Sequence, residues 1–248
     1  MNNSPLFNAL SQERSIFRSF NSFERIGNFE IFSSPGLDEI PHWNLAYPTI
    51  SSVSLPPSQD FEKINSYYDD LSVQGHLLVQ DSIFSGFATE ESEYFQLNDS
   101  AIVSDRRFYK EMSHTDSDLD HFCELIQNSF SLQKKTTEYF RSKMELLRFR
   151  TDSKFFVVKI GKDIVGGCST FRADNGSTFM FNVATLPKMQ NRGIARDIIA
   201  YAALKSSKPF YTYSHNTVMR KTILPNLGFT PIGTIWCVPL QKISKEII

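Results

Sequence analysis

The chain has 248 residues, of which 41% are hydrophobic and 21% are charged, a balance typical of a globular protein with a sizeable core. The formal net charge of −1 gives no overall basic field and argues against a nucleic-acid-binding protein. No run approaches the roughly 18 apolar residues of a membrane helix, and no secretion signal is recognisable. We therefore expect a cytoplasmic protein that binds neither nucleic acid nor membranes.

The first 105 residues predict a smaller α/β domain. Residues 1–22 have no clear period, so a short helix or a loose arm is expected there. Period-2 and period-3.6 patterns predict the elements that follow. These are strands over 23–32 and 43–47, a helix over 61–71, a strand over 76–79 and a hairpin-like piece over 86–97.

A polar, turn-rich stretch over residues 98–107 predicts a boundary, so that the expected domains are 1–105 and 106–248. The sequence pattern of the second domain predicts, in chain order, two helices, three strands, a helix, a strand, a helix and two strands. The first two helices are expected over about 115–129 and 133–148. The other elements are strands over 154–160, 164–171 and about 178–186, a helix over 194–204, a strand over 210–213, a helix over 216–226, and strands over 227–229 and 236–240.

The three cysteines, Cys123, Cys168 and Cys237, cannot all pair and do not have metal-ligand spacing. This favours a reducing compartment and gives no indication of a bound metal. Cys168 and Cys237 fall inside predicted strands, which favours buried thiols over nucleophiles.

The stretch from Phe179 to Arg196 has the pattern of a strand, a polar turn and the start of a helix. Phe179, Phe181 and Val183 alternate with smaller or polar residues, and a strand is expected to end near Pro187. The N–H groups at the start of the next helix have no intrahelical partner, so they form an anion site suited to phosphate. Gly193 lets a phosphate approach, and arginines at the rim add positive charge.

Three segments resemble one family, the GNAT acyl-CoA N-acetyltransferases. Gln190-Asn-Arg-Gly-Ile-Ala195 resembles their Gln/Arg-x-x-Gly-x-Gly/Ala pyrophosphate loop, and Asn182–Pro187 resembles their fourth strand. Ile223-Leu-Pro-Asn-Leu-Gly-Phe229 resembles their closing Leu-Tyr-x-x-Leu-Gly-Phe motif. The resemblance covers about residues 112–244, roughly half the chain. An ordinary strand–turn–helix with a surface arginine is the alternative that the residues alone leave open.

The resemblance implies a mixed, mostly antiparallel sheet flanked by helices, with acetyl-CoA as cosubstrate and an amine as acceptor. The loop would hold the pyrophosphate, and the backbone of the preceding strand would pair with the pantetheine arm. Asn216 matches a family asparagine near pantetheine, but it would equally cap the following helix. The expected cosubstrate-binding residues are Val183, Thr185, Gln190, Asn191, Arg192, Gly193, Ile194, Ala195, Arg196 and Asn216.

The catalytic groups are less well defined by the resemblance. Residues 177–186 contain no carboxylate where many family members place a base, and Leu224 stands where they often have a tyrosine. His215 and Tyr213, near the end of the fifth strand, are the catalytic candidates, although Tyr213 also suits sheet packing. The missing carboxylate favours an acceptor of low pKa or a base that acts through water.

Three questions stay open at this point. The first 105 residues resemble the degenerate half-domain of some GNAT proteins, but an unrelated accessory domain fits equally well. A catalytically silent acyl-CoA-binding or interaction module is the alternative function, and a site for another phosphate ligand is a weaker one. The sequence does not define the acceptor, which could be a small molecule, an amino acid, or a peptide or protein amine. It does not define the oligomeric state either.

Overall fold

The computed structural model describes residues 4–37, 40, 43–49, 55–98, 109–111, 116–149 and 152–246. Its contacts divide the chain into two compact units. The first unit comprises Met1–Tyr94 together with Ile232–Ile248, and the second comprises Phe95–Pro231. Most of the predicted boundary stretch, residues 99–107, lies outside the described residues, so a boundary near residue 105 stays a prediction.

The fold is mixed α/β, with mostly antiparallel strands flanked by helices, as predicted. The strands are β1 (Phe23–Ile26), β2 (Phe29–Phe32), β3 (Leu45–Pro48), β4 (His76–Val79), β5 (Glu90–Leu97), β6 (Tyr109–Glu111), β7 (Ser153–Ile160), β8 (Asp163–Arg172), β9 (Thr178–Thr185), β10 (Phe210–Ser214) and β11 (Thr230–Pro239). The helices are α1 (Pro5–Arg18), α2 (Ser58–Asp70), α3 (Asp116–Phe130), α4 (Lys134–Arg148), α5 (Ile194–Leu204), α6 (Leu224–Asn226) and α7 (Leu240–Glu246). Within the described residues, no helix combines the length and apolarity that a membrane crossing requires.

The first unit has its strands in the order β1-β2-β3-β4-β11. Pairing is antiparallel except between β3 and β4, which are parallel. Helix α1, where the sequence allowed a helix or an arm, buries apolar side chains at helical spacing. Aromatic residues fill much of this core, and the ring centroid of Phe17 lies 5.6 Å from that of Trp43 and 5.7 Å from that of Tyr47.

The second unit has its strands in the order β10-β9-β8-β7-β6. Helix α5 packs on one face through residues such as Ile198, which share a core cluster with Phe156 of β7. Helix α3 lies on the other face, because the Phe122 ring packs 5.5 Å from that of Phe155, and neighbouring residues of a strand point to opposite faces. The sheet therefore separates α5 from α3.

The end of the second unit differs from the prediction of two short strands. One strand, β11, replaces them, and residues 227–229 instead terminate a helix whose preceding turn, Met219–Ile223, is a π-helix. The Phe229 N–H donates to the Leu224 carbonyl (3.1 Å) and the Gly228 N–H to the Pro225 carbonyl (2.9 Å). With Gly228 at φ 85°, this is the Schellman arrangement, in which glycine adopts the left-handed conformation. The Leu-Gly-Phe sequence is therefore a helix stop.

Candidate functional site

The loop between β9 and α5 presents backbone amides at a helix start. The first backbone hydrogen bond of the helix is from the Asp197 N–H to the Gly193 carbonyl (3.0 Å). The amides of Ile194, Ala195 and Arg196 precede that bond, so they have no partner within the helix. Gly193 caps the helix with φ 80° and ψ −1°, and no heavy atom lies within 4 Å of the place where a Cβ would stand. The loop therefore leaves open space in front of several N–H donors.

The side chains around these amides add little fixed charge. Gln190, Asn191 and Arg192 are exposed. The Arg196 guanidinium lies 3.8 Å from the Asp197 carboxylate, with both side chains partly exposed to solvent, so this pair contributes little stability. Asn191 has φ 62°, and left-handed residues in a loop turn successive amides toward one side, where they favour an anion.

A slot opens between β9 and β10. The two strands pair in parallel at three positions only, which end at Thr212 and Met180, and the Thr212 hydroxyl donates to the Met180 carbonyl (3.1 Å) at that point. On its other edge β9 stays paired with β8 as far as Gly166 and Thr185. In the described register, residues 181–185 therefore have one backbone edge that does not pair with β10. An extended ligand can pair with such an open edge.

A β-bulge lies at the start of this open edge. Ser169 of β8 pairs with Phe181, whereas Gly167 pairs with Ala184, so Asn182 and Val183 together stand opposite Cys168. As a result Met180 and Val183, which are three residues apart, lie on the same face of the sheet. Both pack in the hydrophobic cluster that includes Ile198 of α5. The simple alternation that the sequence predicts through Val183 is wrong beyond Phe181.

Asn182 forms the bulge and was not singled out as a site residue in the sequence. It is not glycine, yet its φ is 56°, and its side-chain Nδ2 donates to the Sδ atom of Met144 in α4 at 3.6 Å. Asparagine is depleted in strands and enriched in the left-handed conformation. An asparagine inside an otherwise apolar strand pattern was the signal for this residue.

Comparison with known proteins agrees with this geometry. The sequence model of the Acetyltransferase (GNAT) family matches residues 119–208. A GCN5-related N-acetyltransferase from Kribbella flavida has a similar structure, with a TM-score of 0.71 and 9% identity over 96% of this chain and 96% of that chain. Residues 119–208 of this chain therefore match the GNAT acetyltransferase family, and the chain shares the fold of solved GNAT structures.

Other solved structures share the fold of this chain. A GCN5-related N-acetyltransferase from Sphaerobacter thermophilus has a TM-score of 0.60 and 9% identity over 90% of this chain and 84% of that chain. A conserved protein of unknown function from Staphylococcus epidermidis has a TM-score of 0.64 and 12% identity over 91% of this chain and 95% of that chain. No curated protein matches the sequence. At these identities the structural likeness concerns the fold alone.

The two catalytic candidates, Tyr213 and His215, lie at the carboxyl end of β10, where the slot opens. Tyr213 is half-buried, and its ring centroid is 6.1 Å from that of Phe179. His215 is exposed and directly follows the strand. Leu224, at the family's tyrosine position, is fully buried in the core and offers no hydroxyl. Tyr213 and His215 stay predictions as catalytic residues.

Asn216 caps the helical segment that follows it. Its side-chain Oδ1 accepts a hydrogen bond from the Met219 N–H (3.0 Å), and its own N–H donates to the Ser214 Oγ (3.1 Å). This favours the capping interpretation. A role for Asn216 in cosubstrate binding stays a prediction.

The start of α5 packs closely against β8 beside the end of β9. A Cβ on Gly166 would lie 2.4 Å from the Ile194 Cγ2, so glycine is required for the helix to approach β8 this closely. Among the described residues, the buried Thr185 Oγ1 has no hydrogen-bond partner, although both Thr185 and Val183 are only half-buried as residues. The open edge of β9 therefore ends at the Thr185 hydroxyl, which accepts and donates no hydrogen bond among the described residues.

The three cysteines are buried and unpaired. Burial raises the pKa of Cys123 to about 12 and raises the pKa of Cys168 and Cys237 well above the ordinary range. A buried neutral thiol is a poor nucleophile. The interpretation of Cys168 and Cys237 as core thiols agrees with this environment.

We expect the folded protein to resist thiol alkylation and to lose stability at alkaline pH. Because folding raises the thiol pKa above its ordinary value of about 8.5, the stability linked to the thiols is fully present below pH ~8.5. It is lost as the pH rises toward about 12, the folded pKa of Cys123. Iodoacetamide labelling at pH 8, with and without denaturant, and urea unfolding at pH 8 and pH 10 measure both effects. Native labelling as fast as that of free cysteine would contradict this burial.

Proposed function

We propose that this GNAT protein transfers an acetyl group from acetyl-CoA to an amine by direct transfer in a ternary complex. The observation that carries the proposal is the continuity of two features along one segment. The open backbone edge of β9 is followed, after the 3-10 turn Pro187–Met189, by the amide-rich start of α5. An extended ligand that ends in a pyrophosphate has the chemistry to use both.

The cosubstrate would bind mainly through backbone groups. The amides from Gly193 to Arg196 would donate to pyrophosphate oxygens, with the helix dipole adding to the attraction. Arg192 is exposed beside them and would contribute charge from the rim. The edge at Val183 and Thr185 would pair with the amide groups of pantetheine, as an added strand pairs with a sheet.

The reaction would need no metal or covalent enzyme intermediate. The amine lone pair attacks the thioester carbonyl carbon, a C–N bond forms, and the C–S bond breaks as the thiolate leaves with the electron pair. The amine loses a proton, and the thiolate gains one to give CoA thiol. His215 would accept the amine proton through water, and the Tyr213 hydroxyl would donate to the departing sulfur.

A silent acyl-CoA-binding module is the second candidate. It is favoured by the absence of a carboxylate from residues 177–186 and by the buried Leu224 at the family's tyrosine position. Such a protein would bind acetyl-CoA without transferring its acetyl group.

The two candidates are separated by a thermal-shift titration followed by an assay of CoA thiol release. At about a hundred times its dissociation constant, acetyl-CoA is expected to add ~2.7 kcal/mol, or roughly 5–10 °C, whereas ATP gives no such shift. An amine panel, corrected for thiol release without amine, then tests transfer. Binding without amine-dependent release would establish the silent module, and a folded protein with no acetyl-CoA shift would rule out both candidates.

A further inference from the structure

We propose that the side-chain oxygen of Asn182 binds the acceptor amine and thereby favours amines of low pKa, such as α-amino groups, over lysine side chains. This inference rests on the proposed function and adds to it a residue and a class of acceptor. It follows from the position of Asn182, the orientation of its amide and the charges nearby.

Asn182 stands at the entrance of the open edge. It immediately precedes Val183, whose backbone would face the pantetheine arm near the thioester. The left-handed backbone of Asn182 sends its side chain to the face of the sheet that α4 covers, where it reaches Met144. The residue is half-exposed, so a small molecule can contact it.

The contact with Met144 fixes the orientation of the amide. A thioether sulfur carries no proton and can only accept, so the NH₂ group and not the oxygen must face it. Met144 is fully buried, and its position is therefore set by the core. The Asn182 Oδ1 consequently points away from the sulfur, and no described residue donates a hydrogen bond to it.

The charged residues next to Met144 in α4 include no uncompensated carboxylate. Among the charged neighbours of Met144 in sequence, Glu145 lies 3.3 Å from Arg141 and 3.9 Å from Arg148, so its charge is already compensated. Lys143, the other neighbour, is a cation whose pKa burial lowers. Residues 177–186 of the β9 segment add no carboxylate. Asn182 therefore offers an acceptor without negative charge.

A carbonyl oxygen accepts an N–H hydrogen bond but does not take up a proton at neutral pH, whereas a carboxylate can do both. An amine at this position must therefore arrive largely neutral or lose its proton elsewhere. An α-amine with a pKa near ~7.8 is substantially neutral at physiological pH, and a lysine side chain near ~10.4 is almost entirely charged. A neutral oxygen at this position thus favours an α-amine, the weaker base, over a lysine side chain as the acceptor.

The test compares wild type with Asn182→Gly, Asn182→Asp and Met144→Leu, with glycinamide and Nα-acetyl-lysinamide as acceptors. Glycine tolerates the left-handed backbone, so Asn182→Gly removes the side chain and keeps the bulge. We expect it to raise the KM for glycinamide about three- to tenfold with an unchanged Kd for acetyl-CoA. Asn182→Asp should raise kcat/KM for the lysine derivative relative to glycinamide. Met144→Leu frees the amide to rotate and should raise the glycinamide KM by a smaller factor, about two- to threefold.

The outcomes distinguish this inference from the proposed function. An unchanged glycinamide KM in Asn182→Gly would show that the side chain does not contact the acceptor, and a loss of acetyl-CoA affinity in the same variant would assign the side chain to the cosubstrate instead. A wild type that prefers the lysine derivative would also overturn the inference, and in each case acetyl transfer itself would stand. If neither amine nor any other in the panel is acetylated while acetyl-CoA binds, the proposed transferase function fails and the inference fails with it.

Discussion

Replacement of Gly193 with aspartate is expected to weaken acetyl-CoA binding at least about 100-fold. The new side chain would extend from the loop into open space at the start of α5, where the pyrophosphate would bind. Its carboxylate would compete for the same N–H donors and repel the phosphates, and such like-charge contacts cost several kcal/mol, of which ~2.7 kcal/mol already corresponds to 100-fold. Isothermal titration calorimetry with acetyl-CoA measures the loss.

Gly176→Asp is the matched control. Gly176 lies in the turn between β8 and β9 with φ 85°, close to the 80° of Gly193, and it too has no heavy atom within 4 Å of an added Cβ. Both variants add one negative charge and a similar backbone strain of about 1–2 kcal/mol. Both should therefore lose similar stability, and only Gly193→Asp should lose acetyl-CoA. Equal affinity in the two variants would exclude the α5 loop as the phosphate site.

Replacement of Glu30 with alanine is expected to cost about 3–5 kcal/mol of the free energy of unfolding. The Glu30 carboxylate in β2 is 4% exposed and accepts a hydrogen bond from the Arg18 Nε at 2.8 Å. It also lies 3.5 Å from the Arg14 Nε. Burial lowers the pKa of the Arg14 guanidinium, and Glu30 opposes this. Without the carboxylate, Arg14 is left as a buried charge held mainly by the Pro48 carbonyl.

The stability loss is measured by urea unfolding, with Glu24→Ala as the control. Glu24 lies in the adjacent strand β1 and is exposed, so its replacement should change the free energy of unfolding by less than about 0.5 kcal/mol. At roughly 2–4 °C per kcal/mol for a chain of this size, Glu30→Ala should unfold about 6–20 °C lower than wild type. Similar losses in both variants would show that the buried carboxylate is not required to compensate the arginines.

The elements that sequence reasoning located well are those whose signals are local. His76–Val79 is a strand with the predicted bounds, and the helix predicted over 133–148 is found at Lys134–Arg148. Both rest on runs or periodicities that a short window contains. The amide-rich start of α5 could be predicted for the same reason, because the polar turn, the glycine and the apolar helix are contiguous in sequence.

The features that sequence reasoning missed depend on partners distant in the chain. The bulge at Asn182 is defined by the pairing of β9 with β8. In the sequence, apolar residues alternate through this position without a break. Residues 232–248 belong to the first unit. This depends on the long-range pairing of β11 with β4, which no local sequence pattern predicts. The degenerate-half and accessory-domain interpretations of the first 105 residues both remain predictions.

The pairing of β11 with β4 has a consequence for synthesis of the chain. Trp236 pairs with Val79 and Pro239 with His76, so β4 obtains this partner only after the ribosome has passed residue 239. Residues 95–231 of the second unit emerge earlier and can collapse while the first unit still waits for its last strand. During that interval the β4 edge facing β11 lacks its partner, and an unpaired strand edge invites pairing with other chains. Efficient expression would then depend on how fast residues 230–239 are translated and on chaperones that shield β4 until β11 arrives.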